Sequence, residues 1–82
     1  MSEEELLKRI VVNPKVMVGK PVVKGTRLTV DFILGLLAHD ATVEDILREY
    51  GGLSRDDVLA CLLFAARSLD SIDFGPLMVE AA

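Results

Sequence analysis

The chain has 82 residues, about half of them apolar, and a formal net charge of −4 at pH 7. This length suits one domain, and the apolar content is high for so small a body, so we expect apolar surface to remain for a partner, first of all a second copy of the chain. A single cysteine excludes an internal disulfide and no apolar run reaches the ~20 residues of a membrane span, so a cytoplasmic protein without membrane contact is expected.

The charge is unevenly distributed along the chain. Residues 8–30 contain no acidic side chain and six basic ones: Lys8, Arg9, Lys15, Lys20, Lys24 and Arg27. From residue 31 onward, acidic side chains outnumber basic ones. A basic arm on an acidic body can attract phosphate, or it can serve only to keep an edge strand from pairing with other chains. Both interpretations stay open.

The most informative segment is 18–30, V-G-K-P-V-V-K-G-T-R-L-T-V. Pro21 suits an edge or turn position, Val22 and Val23 favour a strand, and Gly25 stands where a tight turn needs a positive φ. The segment therefore predicts a tight β-hairpin, and Thr29 is placed to cap the helix that follows. The hairpin presents three basic side chains: Lys20, Lys24 and Arg27.

Two helices are predicted next. The first spans Val30–His39, with apolar residues at the i, i+3, i+4 and i+7 positions of a helix face. Gly35 lies within it, and we interpret this glycine as a point of close backbone packing. The second helix begins after Thr42, which forms a capping box with Asp45. We expect 51–52, a pair of glycines, to end this helix as a left-handed C-cap.

A third helix is predicted from Ser54, its N-cap, to Leu69, and the short glycine-containing turn before it is typical of a helix-turn-helix. Residues 58–66 are apolar on every face, which predicts a helix buried all round. We expect its apolar back to form a dimer interface through Leu59, Leu62, Leu63 and Phe64. Because Asp56 and Asp57 repel phosphate, DNA contact would fall to the hairpin together with the first turn of this helix, at Ser54 and Arg55.

Groups for catalysis or metal binding are sparse. His39 is the only histidine, and it stands at a predicted helix end, where a cation interacts well with the helix dipole. Cys61 lies in the apolar run and is expected to be a core residue rather than a nucleophile. Histidine and cysteine do not occur with the spacing of metal ligands. We therefore expect a protein that is not an enzyme and uses no cofactor or metal.

Three motifs together resemble the domain-of-unknown-function 433 family: I-x-x-N-P, then G-K-P-V-V-K-G-T-R-L-T-V, then A-T-V-E-D-I-L-R-E-Y-G-G-L-S-R-D-D-V. The resemblance implies a strand, a hairpin and a homeodomain-like helix-turn-helix of three helices. It also implies a small dimeric antitoxin that neutralises a PIN-like ribonuclease toxin and represses its own operon. Three positions depart from the family pattern, because Val18 and Asp40 stand where glycine is common and Gly51 where proline is common.

The segment 70–82 breaks the helical pattern and leaves apolar side chains without an evident place in the core. One interpretation is that it folds back over the dimer. The other is that it orders against the toxin, with its acidic residues facing the basic surface that a ribonuclease needs for RNA. In the second case the partner-binding residues are Phe74, Leu77, Met78 and Val79.

The sequence thus predicts a mainly α single domain, 1–82. Its parts are a strand and basic hairpin arm (1–30), a three-helix core (30–69) and a tail (70–82). The favoured function is an antitoxin that binds a toxin through its tail and operator DNA through Lys20, Lys24, Arg27, Ser54 and Arg55. The alternative is a homodimeric protein-interaction module with a degenerate helix-turn-helix that does not bind DNA.

Overall fold

The computed structural model describes residues 1–70, in which four helices pack around a two-stranded antiparallel sheet. In chain order the elements are α1 (Glu3–Leu7), β1 (Ile10–Val12), β2 (Pro21–Val23), α2 (Val30–Ala38), α3 (Val43–Glu49) and α4 (Arg55–Leu69). The predicted mainly α fold with an N-terminal hairpin is confirmed. Within the described part of the chain, no helix is long and apolar enough to cross a membrane.

The hairpin differs in its pairing from the one predicted within 18–30. β2 pairs with the upstream strand β1, with Ile10 opposite Val23 and Val12 opposite Pro21. The expected turn does form, with Gly25 at φ +82°, but the strand after it is reduced to a single bridge between Val22 and Thr29. The reason is that Thr29 is already the N-cap of α2, so the chain enters a helix before a second strand can extend.

The predicted helix starts are confirmed. The hydroxyl of Thr29 accepts a hydrogen bond from the backbone N–H of Phe32 at the start of α2. Both α3 and α4 begin with a complete capping box, Thr42 with Asp45 and Ser54 with Asp57. Each box satisfies backbone N–H groups that have no partner inside the helix, so the starts follow from local sequence alone.

Two predictions about glycines are wrong. Gly51 and Gly52 do not form a left-handed C-cap, because among residues 1–70 the glycines with positive φ are Gly19 and Gly25. Instead α3 ends at Tyr50 in a near-extended conformation, and the carbonyl of Tyr50 accepts from the N–H of Leu53 at 3.0 Å. Gly35 is not a packing contact either, since no heavy atom lies within 4 Å of the place where a Cβ would stand.

The two departures from the family's glycines fall on left-handed backbone. Val18 has a φ of 49° and Asp40 a φ of 75°. A β-branched residue is strained in this region, whereas aspartate tolerates it better and glycine adopts it freely. Val18 is also 90% exposed, so core packing does not compensate this strain. The backbone explains why glycine is common at both places.

The core lies between α4 and the elements that surround it. Its buried side chains come from β2, the three longer helices and the turn before α4, and they are Val23, Val30, Ile33, Ile46, Leu53, Val58 and Cys61. α4 is the central element and contacts α1, α2, α3 and β1. The expectation that α4 is buried all round is wrong for the described chain, since Leu59 and Leu62 are 36% and 44% exposed.

Candidate nucleic-acid and partner surfaces

Arg9 connects the hairpin arm to the start of α4. Its Nη1 donates to Asp57 Oδ1 at 3.1 Å and to Ser54 Oγ at 3.5 Å, and its Nη2 lies 3.8 Å from Asp56 Oδ2. The carbonyl of Arg9 accepts from the backbone N–H of Lys24 at 2.7 Å. A single arginine therefore holds the turn of the hairpin next to the first turn of α4 and offsets part of the acidic charge there.

Sequence reasoning counted Arg9 only as one of six cations and did not assign it to this position. The residues it joins are 48 positions apart, and periodicity carries no information over that distance. The one available indication is Asp57 itself. It is 9% exposed, and a buried carboxylate requires a charged or hydrogen-bonding partner.

A surface hollow of about 490 Å³ opens beside this arginine and is lined by Met1, Glu5, Lys8, Arg9, Lys24 and Asp57. Within residues 1–70, Lys8 and Lys24 form no side-chain ion pair. The predicted DNA-contacting residue Lys24 therefore shares a hollow with the start of α4. Lys8, which sequence reasoning did not single out, lines it too.

The other predicted DNA-contacting residues are placed differently. Lys20 Nζ lies 3.5 Å from Asp31 Oδ2, and both side chains are exposed. The pKa of Asp31 is lowered, chiefly by a hydrogen bond with the Thr29 side chain and further by the charge of Lys20. Arg27 lines a separate hollow of about 230 Å³ with Met17, Leu28, Thr29 and Phe32. The structure thus does not bring all three hairpin cations to one place.

The first turn of α4 is strongly engaged within the chain. The hydroxyl of Ser54 accepts from the N–H of Asp57 at 3.3 Å and is also contacted by Arg9. Arg55 Nη1 lies 4.0 Å from Glu44 Oε1. A DNA phosphate at this turn would compete with these contacts, and it would also meet the acidic groups of the turn.

The predicted dimer residues divide between two faces of α4. Leu59 and Leu62 are exposed and Leu63 is half-buried. Phe64 is half-buried, packs against the core cluster and lines a hollow of about 340 Å³ between α2 and α4. The predicted partner-binding residues Phe74, Leu77, Met78 and Val79 lie outside the described residues.

Groups that could support catalysis are few in the described chain. Residues 1–70 contain no cluster of three or more His, Cys, Asp or Glu that could hold a metal ion. Cys61 is buried, and burial, aided by the charge of Asp57, raises the pKa of its thiol to about 11. His39 Nδ1 lies 2.8 Å from the carbonyl oxygen of Gly35, one turn back along α2.

These features define a small mainly α protein with a two-stranded arm attached to a helix-turn-helix-like core. Residues 10–65 match the family described as "Protein of unknown function (DUF433)". The chain belongs to this family, as its three motifs predicted.

The fold also resembles a crystal structure of a DUF433 member from Anabaena variabilis, with a TM-score of 0.73 and 22% sequence identity. The likeness covers 82% of this chain, which spans 66% of the length of that solved chain. An uncharacterized protein of Archaeoglobus fulgidus is 68% identical over 25 residues, which make up 30% of this chain and 69% of that protein. The structural likeness at this identity concerns the fold.

Proposed function

We propose that this chain is a homodimeric antitoxin that neutralises a PIN-like ribonuclease and binds its own operator DNA. The family supplies the expected partner, and two surfaces of the chain support the role. The observation that carries the DNA part is the Arg9 bridge, because it brings Lys24 of the hairpin to the start of α4. Cations of the arm can then act together with the helix-turn-helix.

DNA contact in this proposal is made through phosphate rather than through bases. Lys8 and Lys24 line one hollow and are free of ion pairs within residues 1–70, so they can neutralise phosphates without first breaking a contact. The acidic first turn of α4 makes it a poor reader of base edges. A protein that binds in this way positions itself on the backbone and shows a strong salt dependence.

Toxin contact is assigned to the tail, at Phe74, Leu77, Met78 and Val79. An apolar and acidic segment suits a protein that must cover the RNA-binding surface of a ribonuclease, because that surface is basic. The proposal includes a non-enzymatic role in the cytoplasm without cofactor or metal. Its support is chemical: the one thiol is buried and His39 is used at a helix end.

The DNA part is tested by the salt dependence of binding to the DNA upstream of the gene. Lys24→Ala should reduce the slope of log K against log salt by about 0.9, the value of one phosphate contact, and Lys8→Ala should do the same. Arg48→Ala is the matched control, since it removes an equal charge from an exposed side chain on α3. Unchanged slopes in both lysine variants would remove DNA binding through this hollow from the proposal.

The second candidate function is a protein-interaction module that does not bind DNA. The observation that favours it is the engagement of cations near the helix-turn-helix, because Lys20 is paired with Asp31 and Arg55 lies near Glu44. This module predicts no measurable affinity for the upstream DNA at low salt in the wild-type chain. The salt titration therefore separates the two functions before any variant is made.

A further inference from the structure

The exposed face of α4 carries a regular pattern that the proposed function leaves unexplained. Its positions follow one another at intervals of four, three, four and three residues, and we call them the α4 seam: Arg55, Leu59, Leu62, Ala66 and Leu69. All five side chains are exposed. The interval of 3.5 residues on average is that of the a and d positions of a coiled coil, where each side chain packs into a facing helix.

The seam is apolar over most of its length although water surrounds it in the described chain. Leu59, Leu62 and Leu69 are 36%, 44% and 51% exposed, and the small side chain of Ala66 lies between the last two. The core is served by other positions of the same helix, for example Val58 and Cys61, which are fully buried. α4 therefore has two apolar faces, and residues 1–70 cover one of them.

The charges at the two ends of the seam indicate what covers the second face. Arg55 is at the beginning of α4 and its contact within the chain is a 4.0 Å approach to Glu44, with both side chains exposed. Asp70 follows the end of α4 and forms no ion pair among the described residues. A second α4 in antiparallel order brings these opposite charges together, whereas a parallel one brings like charges together.

We propose that a second copy of this chain packs its α4 seam antiparallel against the first. Leu62 lies at the two-fold axis, Leu59 faces Ala66 of the other copy, and Arg55 faces the other Asp70 at both ends. The register follows from the helix itself, because α4 spans residues 55–69 and full overlap centres on Leu62. The arrangement rests on the homodimer of the proposed function and specifies its interface, orientation and register.

This dimer has a consequence for the arm. An antiparallel pair places the two Arg9–Asp57 bridges at opposite ends of the joined helices. The first and last residues of α4 are fourteen positions apart, which is about 21 Å along the axis at the rise of an α-helix. The two Lys24 hollows are then related by the two-fold axis, as a palindromic DNA site requires.

The test is sedimentation velocity over a range of concentrations, with the full chain and with charge-reversed variants. Arg55→Glu alone and Asp70→Lys alone should each weaken the dimer by about fivefold to tenfold, since two exposed ion pairs become two like-charge contacts. The double variant Arg55→Glu/Asp70→Lys should restore wild-type association. Leu62→Glu should dissociate the dimer, because it places two carboxylates at the axis, whereas Val18→Glu, exposed on a loop, should not.

Each contrary result has a distinct meaning. Single charge variants that associate like wild type contradict the antiparallel order, since parallel helices keep like charges paired in either variant. A dimer that survives Leu62→Glu overturns the seam but leaves the homodimer of the proposed function in place. A wild-type chain that is monomeric throughout the range overturns both. Circular dichroism of each variant confirms that α4 is intact when these results are compared.

Discussion

Replacing Asp57 by alanine tests how the arm and the helix-turn-helix are joined. The substitution removes two contacts, from the backbone N–H of Ser54 to Oδ2 at 2.9 Å and from Arg9 Nη1 to Oδ1 at 3.1 Å. Loss of a helix cap costs about 1 kcal/mol. Loss of a hydrogen bond to a charged group costs about 1.5–3 kcal/mol. We expect unfolding to become easier by about 2–4 kcal/mol, toward the lower end because Arg9 is partly exposed and keeps Asp56 nearby.

Asp45→Ala is the matched control for this prediction. Asp45 closes the same kind of capping box on α3, but its side chain is about half exposed and pairs only with Arg48 on the same helix. Its loss should therefore cost about 1 kcal/mol. Urea denaturation at 25 °C, followed by far-UV circular dichroism with the m-value checked, measures both. Equal destabilisation of the two variants would refute the claim that the Arg9 bridge stabilises the fold beyond the cap.

Three further predictions concern the backbone and the core. Val18→Gly should stabilise the chain by about 1 kcal/mol in the same urea assay, because it relieves left-handed backbone at a β-branched residue, and Asp40→Gly should gain less; equal gains would contradict this ranking. Gly35→Ala should also stabilise by about 1 kcal/mol, since the added methyl meets no neighbour within 4 Å inside α2; a loss of stability would show that α2 packs more closely there. The Cys61 thiol, buried and with its pKa raised from 9.0 to about 11, should react with a thiol reagent at pH 8 only as fast as the chain opens. Its contribution to stability is present below pH 9 and is lost as the pH rises toward 11; a native-state rate equal to the rate in urea would contradict its burial.

Local chemistry determined the parts of the fold that the sequence could predict. Thr29, Thr42 and Ser54 each lie next to the backbone groups that they cap, so short-range patterns located three helix starts correctly. The same logic was available for α1, where Ser2 accepts from the N–H of Glu5 and bonds its carboxylate, but the pattern was not recognised in so short a helix. The turn at Gly25 followed from the steric freedom of glycine.

The parts that could not be predicted depend on contacts between distant segments. The strand partner of β2 lies upstream because α2 begins immediately after the turn. The Arg9 bridge joins residues 48 positions apart, and the pairing of Lys20 rather than Arg27 with Asp31 depends on how the loop before β2 is folded. An apolar helix pattern likewise cannot tell which apolar face meets the core, so the exposure of Leu59 and Leu62 needed the structure.

The antitoxin role is tested most directly by a rescue assay in a heterologous host. The adjacent gene is induced alone and then together with this chain, and growth is recorded. The account predicts arrest in the first case and recovery in the second, with recovery lost when Phe74 and Leu77 are both replaced by serine. An adjacent gene that does not arrest growth, or an arrest that this chain leaves unchanged, would contradict the proposed function.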